Sequence, residues 1–143
     1  MSTQDQLTQV FNDNFVAYFR SHVAHVNIVG RNFHSDHELL AGIYEDLQGQ
    51  IDVIAELLRS LGEFMPASVG RVLDEAKIAD DSVEGDSDTL LATVKYDLEE
   101  LKADYEELIS TADSEGYLEI SNYAQDRVLA LAKHIWMLDS TLA

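Results

Sequence analysis

The sequence contains no cysteine, and its only proline among 143 residues is Pro66. The absence of cysteine excludes a disulfide framework, a zinc–thiolate site, an iron–sulfur cluster and a thiol nucleophile. Any bound metal must therefore be held by nitrogen and oxygen ligands. Glycine is also scarce, with seven residues, while apolar residues make up 46% of the chain. This composition favours long, uninterrupted helices.

Positively charged residues are also scarce. The chain has 9 Lys and Arg residues against 27 Asp and Glu residues, which gives a formal net charge of -18. Such an acidic chain repels nucleic-acid phosphates and anionic membranes, so direct DNA binding is not expected and cations are the natural partners. Most individual carboxylates are expected to be solvated surface groups.

Long hydrophobic segments are missing as well. No stretch approaches about 18 consecutive apolar residues, the length that would indicate a membrane-spanning helix. The first residues, MSTQDQLTQVFND, lack the basic and apolar regions of a secretory signal. We therefore expect a cytoplasmic protein, and its length predicts a single domain over residues 1–143.

The apolar residues recur every three or four positions in four long segments, as they do along one face of a helix. The predicted helices span approximately residues 4–29, 36–61, 88–116 and 118–142. Ser35 or Asp36 is expected to cap the second helix, with Glu38 close to the capping-box position. Ser87 or Asp88 is expected to cap the third.

The connection between the second and third long helices is about 25 residues long. Residues 67–79 predict a short helix of about three turns, and residues 80–88 form an acidic loop. Two helical hairpins joined by one long crossover are typical of ferritin-like bundles. The predicted fold is therefore all-α, a ferritin-like four-helix bundle with a short crossover helix.

Three polar side chains of the second helix, His37, Asp52 and Glu56, fall within about 100 degrees of one another around the helix axis. They lie beside apolar residues of the same face, where an unpaired charge is unfavourable. Imidazole and carboxylate ligands suit iron, manganese or zinc, and His25 near the end of the first helix could join them. Spacing alone leaves a metal site and a structural role equally open.

The other conspicuous side chains have plainer interpretations. His22 and His34 are interpreted as structural or surface residues. Tyr44 is expected to contribute to packing, and Trp136 with Met137 is expected to lie in the core.

Three motifs give the sequence a family resemblance. HVNIVGRNFHSDH at residues 25–37 resembles the signature H-W-N-x-x-G-x-x-F-x-x-x-H. DVIAE at residues 52–56 matches a D-x-x-A-E element, and KHIWML at residues 133–138 matches K-x-x-W-M-L. Through nearly its whole length the chain resembles the Dps family, the ferritin-like mini-ferritins known as DNA-binding proteins from starved cells.

The resemblance implies a ferroxidase that oxidises Fe(II), preferentially with hydrogen peroxide, and stores ferric oxide inside a dodecamer. It also implies a metal and catalytic site between two-fold related subunits, with His25 and His37 from one chain and Asp52 and Glu56 from its partner. Iron is the implied metal, and zinc could take its place. The alternative is a metal-binding structural shell of the same fold with weak or no ferroxidase activity.

Three departures from the family pattern bear on that expectation. Val26 stands where the family usually has Trp, Ala41 stands where an acidic residue often follows the second His, and Asn122 stands where an acidic residue usually lines a pore. The lysine-rich N-terminal extension used for DNA binding is also missing. These differences leave open whether the site is mononuclear or dinuclear and how iron enters.

Overall fold

A computed structural model describes residues 1–143, and it contains five helices and no strand. The helices are α1 (Thr3–Asn27), α2 (Phe33–Ser60), α3 (Val69–Glu75), α4 (Ser87–Glu115) and α5 (Leu118–Leu142). Helix α1 packs against both α2 and α4, α4 packs against α5, and the short α3 lies on α1. The predicted all-α four-helix bundle with a crossover helix is confirmed. No helix combines the length and apolar character that crossing a membrane requires.

The predicted cap of α2 is wrong. Helix α2 begins at Phe33, its N-cap residue Asn32 makes no side-chain capping bond, and Asp36 already lies inside the first turn. The Ser35 hydroxyl donates to the Asn32 carbonyl, 3.1 Å away, so its bond is with a carbonyl and not with an N–H group at the helix start. For α4 the predicted caps Ser87 and Asp88 are also wrong: the cap is Asp86, and its side chain accepts from the Thr89 N–H at 2.9 Å.

Helix α3 is shorter than predicted because the chain leaves the helical path after Glu75. The next backbone N–H groups, those of Lys77 and Ile78, donate to Asp13 Oδ1 on α1 at 2.7 and 3.0 Å. A carboxylate on the bundle thus takes the place of further helical hydrogen bonds. This contact fastens the crossover to α1.

The core is one cluster of 28 buried apolar residues drawn from all five helices and the crossover. Burying a large apolar side chain contributes about 1.5–3 kcal/mol, so this cluster is the main source of stability. Trp136 and Met137, which were expected in the core, are 64% and 37% exposed. That expectation is wrong because the buried stripe of α5 runs through Leu131 and Leu138, and Trp136 falls on the outward face.

Two groups of ionisable residues nevertheless reach into the bundle, and Arg127, Asp13 and Asp104 are buried. In the α2–α5 network, Arg127 donates twice to Asp46, at 3.0 and 2.9 Å, and His134 Nε2 lies 2.8 Å from the same carboxylate. In the α1–α4 acid pair, Asp13 and Asp104 face each other, and Lys77 Nζ lies 3.1 Å from Asp104 Oδ1. Both groups tie helices together across the bundle.

Candidate metal centre

The turn between α1 and α2 brings His25 and His37 together. Gly30 in this turn has a φ of 134°, a conformation that disfavours side chains, and it lets the chain reverse within a few residues. The two imidazole rings stack with their centroids 3.8 Å apart and their planes 16° apart. The structure therefore places these two of the four predicted ligands side by side.

Reciprocal hydrogen bonds fix both rings. His25 Nδ1 lies 2.8 Å from the His37 carbonyl, and His37 Nδ1 lies 2.8 Å from the His25 carbonyl. A carbonyl oxygen only accepts, so each Nδ1 carries the proton and donates it. In a neutral imidazole the other nitrogen, Nε2, then keeps a free lone pair. A hydrogen bond from the second nitrogen to a carbonyl is also how metal-binding histidines are oriented.

The two predicted carboxylates lie elsewhere on α2. Asp52 and Glu56 are both exposed, one helical turn apart, and none of the eight ion pairs in the chain includes either of them. Asp52 follows His37 by about four turns, or about 22 Å along the helix axis. Accordingly, no group of three or more potential ligands within the chain could hold a metal ion. One chain presents a histidine pair and a separate carboxylate pair.

Aromatic side chains of α1 and α2 continue the ring stacking of the histidine pair. The Tyr44 ring lies 4.8 Å from that of His25 and stacks on His22 at 4.0 Å. The Tyr18 hydroxyl lies 3.0 Å from His22 Nδ1. The packing role expected for Tyr44 is thus seen, whereas the involvement of Tyr18 was missed. The spacing of Tyr18, His22 and His25, which follow one another on one face of α1, was the available signal.

Neither Asp36 nor Glu45 is well placed to replace the acidic residue that the family often has at position 41. Asp36 is buried, and burial, followed by the nearby charge of Asp88 on α4, raises its pKa. Glu45 is exposed, about two turns beyond His37. His34, interpreted as structural or surface, is exposed on the first turn of α2.

Comparison with known proteins starts from a family match. The profile of the Ferritin-like domain family matches residues 4–143. Two curated relatives are also similar along almost the whole chain. The antigen TpF1 of Treponema pallidum (strain Nichols) is 34% identical, over 96% of this chain and 78% of its own. The DNA protection during starvation protein of Helicobacter pylori is 27% identical over 100% of both chains.

Solved structures show the same similarity. Helicobacter cinaedi CAIP superposes with a TM-score of 0.91 at 34% identity, covering 99% of this chain and 100% of its own. The Dps protein of Bacillus brevis superposes with a TM-score of 0.93 at 26% identity, covering 99% and 95%. The chain therefore belongs to the ferritin-like family and, within it, to the Dps proteins.

Proposed function

We propose that this protein is a ferroxidase and iron-storage mini-ferritin that oxidises Fe(II) with hydrogen peroxide and thereby protects against oxidative damage. Membership of the ferritin-like Dps family implies iron binding and storage. The observation that carries the finer proposal is the His25–His37 pair, whose Nδ1 atoms are engaged by backbone carbonyls while both Nε2 atoms remain free to bind a cation.

The complete site needs a second chain. A two-fold axis beside α2 would set the carboxylate pair, Asp52 and Glu56, of one subunit opposite the histidine pair of its partner. Because such an interface is self-complementary, it creates two identical sites per dimer. The separation of about 22 Å along α2 supports this arrangement, since it prevents one chain from using all four ligands. We propose that six such dimers form the dodecamer of the family.

The ligand set suits the reaction. Imidazole nitrogens bind Fe(II) well, carboxylate oxygens bind Fe(III) well, and few protein ligands leave room for peroxide. Each Fe(II) gives up one electron, and two electrons with two protons convert one peroxide molecule into two water molecules. Delivering both electrons together avoids the hydroxyl radical that a single electron would release. The net charge of -18 attracts Fe(II) to the protein.

A metal-binding shell with slow oxidation is the second candidate. It is favoured by Ala41, which supplies no ligand, and by Asp36, whose side chain is buried. In this case the four ligands would bind one ion, such as Zn(II) or Fe(II), without rapid electron transfer. The two functions differ in the oxidation rate and not in metal affinity.

The test is anaerobic loading with Fe(II), followed by addition of peroxide and measurement of the near-ultraviolet absorbance of Fe(III). We expect rapid oxidation by a particle that elutes as about twelve subunits in size-exclusion chromatography. The double variant His37→Ala with Glu56→Ala should keep the assembly and oxidise Fe(II) at least about tenfold more slowly.

His34→Ala is the matched control, because His34 is exposed one turn from His37 and is no predicted ligand. This variant should oxidise iron at the wild-type rate. Unchanged kinetics in the double variant would show that oxidation occurs at another site. An inert wild-type particle that still binds the metal would support the shell.

A further inference from the structure

The crossover between α2 and α4 is attached to the bundle at the α1–α4 acid pair. Asp13 and Asp104 are 0% and 1% exposed. Asp13 Oδ1 accepts from the backbone N–H groups of Lys77 and Ile78, and Lys77 Nζ lies 3.1 Å from Asp104 Oδ1. Two acidic groups that have almost no contact with solvent thus share one positive charge.

The hydrogen bonds indicate that one of these two carboxyl groups is protonated. Both oxygens of Asp13 accept from N–H groups, since Gln9 Nε2 donates to its Oδ2 at 3.2 Å. Asp104 Oδ2 is buried and has no N–H partner. The two carboxyl groups hydrogen-bond to each other, which requires a proton between them because an ionised carboxylate only accepts. Burial raises the pKa of Asp104 to about 8, in agreement with a proton on this residue.

No positively charged group other than Lys77 forms an ion pair with the acid pair. Glu100 on α4 lies near the Lys77 ammonium and favours its charged form. Asp97 on α4 adds negative charge near Asp13, but Arg20 binds it at 2.7 Å. The acid pair is therefore balanced by one ammonium group and one proton.

The segment that follows α3 depends on the acid pair for its attachment. Between α3 and α4 the chain forms no regular structure. Its neighbouring attachments are the bond from Gln9 Nε2 to the Glu75 carbonyl, at 3.1 Å, and that from Arg20 Nη1 to the Asp81 carbonyl, at 2.7 Å. The two carboxyl groups belong to α1 and α4, which are packed helices of 25 and 29 residues. If the acid pair must be hydrated, the segment moves more easily than the helices do.

We propose that the proton shared by Asp13 and Asp104 is a latch that keeps residues 76–80 closed on the bundle, and that its release opens this segment while the helices stay folded. With the proton present, the acid pair carries one negative charge, which Lys77 neutralises. Without it, two carboxylates repel each other and need further hydrogen-bond donors, which water supplies beneath the segment. The opening breaks the two backbone bonds to Asp13.

The direction of the pH response follows from the protonated form. The segment is closed below about pH 8, where Asp104 keeps its proton, and it opens as the pH rises above that value. None of the four predicted metal ligands takes part. The latch is therefore separate from the proposed ferroxidase function and can be tested without iron.

Hydrogen–deuterium exchange of the assembled protein, with mass spectrometry of its peptides, tests the latch between about pH 6 and pH 9.5. Rates are corrected for the intrinsic pH dependence of amide exchange. In the wild type, protection of residues 76–80 should fall by up to about tenfold per pH unit above pH 8, as release of one proton requires, while α1 and α4 stay protected. Asp104→Asn cannot titrate and keeps an N–H donor for Asp13, so its protection should not change with pH.

Glu100→Gln is the matched control, because it removes an exposed negative charge near Lys77 without changing the acid pair. It should keep the wild-type pH dependence. Lys77→Met should change the response in the opposite direction to a loss of the latch. It keeps the backbone N–H bonds but removes the ammonium that opposes proton binding, so opening should require a higher pH than in the wild type.

Infrared spectroscopy at neutral pH detects the proton itself. The band of a buried, protonated carboxyl group should be present in the wild type and in Lys77→Met, and absent from Asp104→Asn. Absence of this band from the wild type, or protection of residues 76–80 that does not change with pH, would overturn the latch. Simultaneous loss of protection in α1 and α4 would overturn it too, because the whole bundle would then be unfolding.

Discussion

The α2–α5 network and the candidate metal centre are both built from histidine and carboxylate, yet their hydrogen bonds are completed differently. In the network, Asp46 accepts from Arg127 and His134 inside the chain, and Arg127 is 6% exposed. At the centre, the Nδ1 atoms of His25 and His37 are engaged, but their Nε2 atoms have no protein partner. One region is closed within the chain, and the other is open to a ligand.

The pKa of Asp46 shows how strongly its hydrogen-bond partners stabilise the charged carboxylate. Burial alone would raise it, but hydrogen bonds from His134 and Arg127, with their charges, outweigh burial and hold the pKa at about 2. A carboxylate that already accepts three hydrogen bonds is a poor ligand for a metal ion. Residue type therefore does not distinguish a structural cluster from a functional one, whereas the number of unused ligand atoms does.

Removing Asp46 from the α2–α5 network should have the largest effect on the free energy of unfolding. Asp46→Ala leaves Arg127 buried without its charge partner, and breaking a buried pair in this way costs about 3–5 kcal/mol. Urea unfolding at fixed protein concentration measures the change. Asp46→Asn, which keeps an acceptor oxygen, should lose less. Equal free energies of unfolding for Asp46→Ala and wild type would show that the network contributes little to stability.

The α1–α4 acid pair shows the opposite balance, because here burial changes the pKa of a carboxyl more than its positive neighbour does. Burial, with Asp13 as hydrogen-bond partner and nearby charge, raises the pKa of Asp104 from 3.8 to about 8, despite the opposing effect of Lys77. The folded chain thus keeps a proton that the unfolded chain releases near pH 3.8. The stabilisation is complete below that pH and is lost as the pH rises through about 8, by up to about 1.4 kcal/mol per pH unit.

Asp104→Asn should flatten this dependence, since an amide does not titrate. Thermal or urea unfolding between pH 5 and pH 8 measures it, with the wild type as the reference. A slope that persists in the variant would assign the pH dependence to other groups.

Mixing two inactive variants tests whether the open region is completed by a second chain. One variant carries His25→Ala and His37→Ala, the other Asp52→Ala and Glu56→Ala, and each alone should oxidise Fe(II) at least about tenfold more slowly than wild type. Random pairing makes about half of the dimers mixed, each with one intact site of two. About a quarter of the activity should therefore return after unfolding and refolding the two together. No recovery in properly assembled particles would contradict a shared site.

The smallest effect on stability is expected for an ion pair at the surface. Lys95 Nζ lies 2.7 Å from Asp139 Oδ1, but the Asp139 side chain is 51% exposed. Exposed ion pairs contribute little to stability, so Asp139→Ala should barely change urea unfolding. This variant provides the baseline for Asp46→Ala. A loss as large as that of Asp46→Ala would mean that burial does not explain the difference between them.

The sequence predicts the long helices well because their apolar residues repeat with the helical period, and that period reflects one buried face. It predicts the ends less well. Ser35 and Asp36 are good capping residue types, but the turn at Gly30 starts α2 earlier. Trp136 is hydrophobic, yet its angular position on α5 puts it outside the core.

The candidate site was only partly readable from sequence. The motifs indicate that His25 and His37 belong together, but their orientation depends on backbone carbonyls, which no side-chain pattern reveals. The α2–α5 network was missed because Asp46 and Arg127 are 81 positions apart and resemble ordinary surface charges until the helices pack. Tertiary contacts decide which polar residues are satisfied and which remain available.

The unbroken course of α2 from Phe33 to Ser60 has a consequence for newly made protein. If the iron site is shared as proposed, this helix separates the histidine pair and the carboxylate pair of a single chain by about four turns. An unpaired subunit then cannot perform peroxide chemistry while it is still exposed to the rest of the cell. Activity would appear only once subunits have paired, and at high dilution it would decay with dissociation before any helix unfolds.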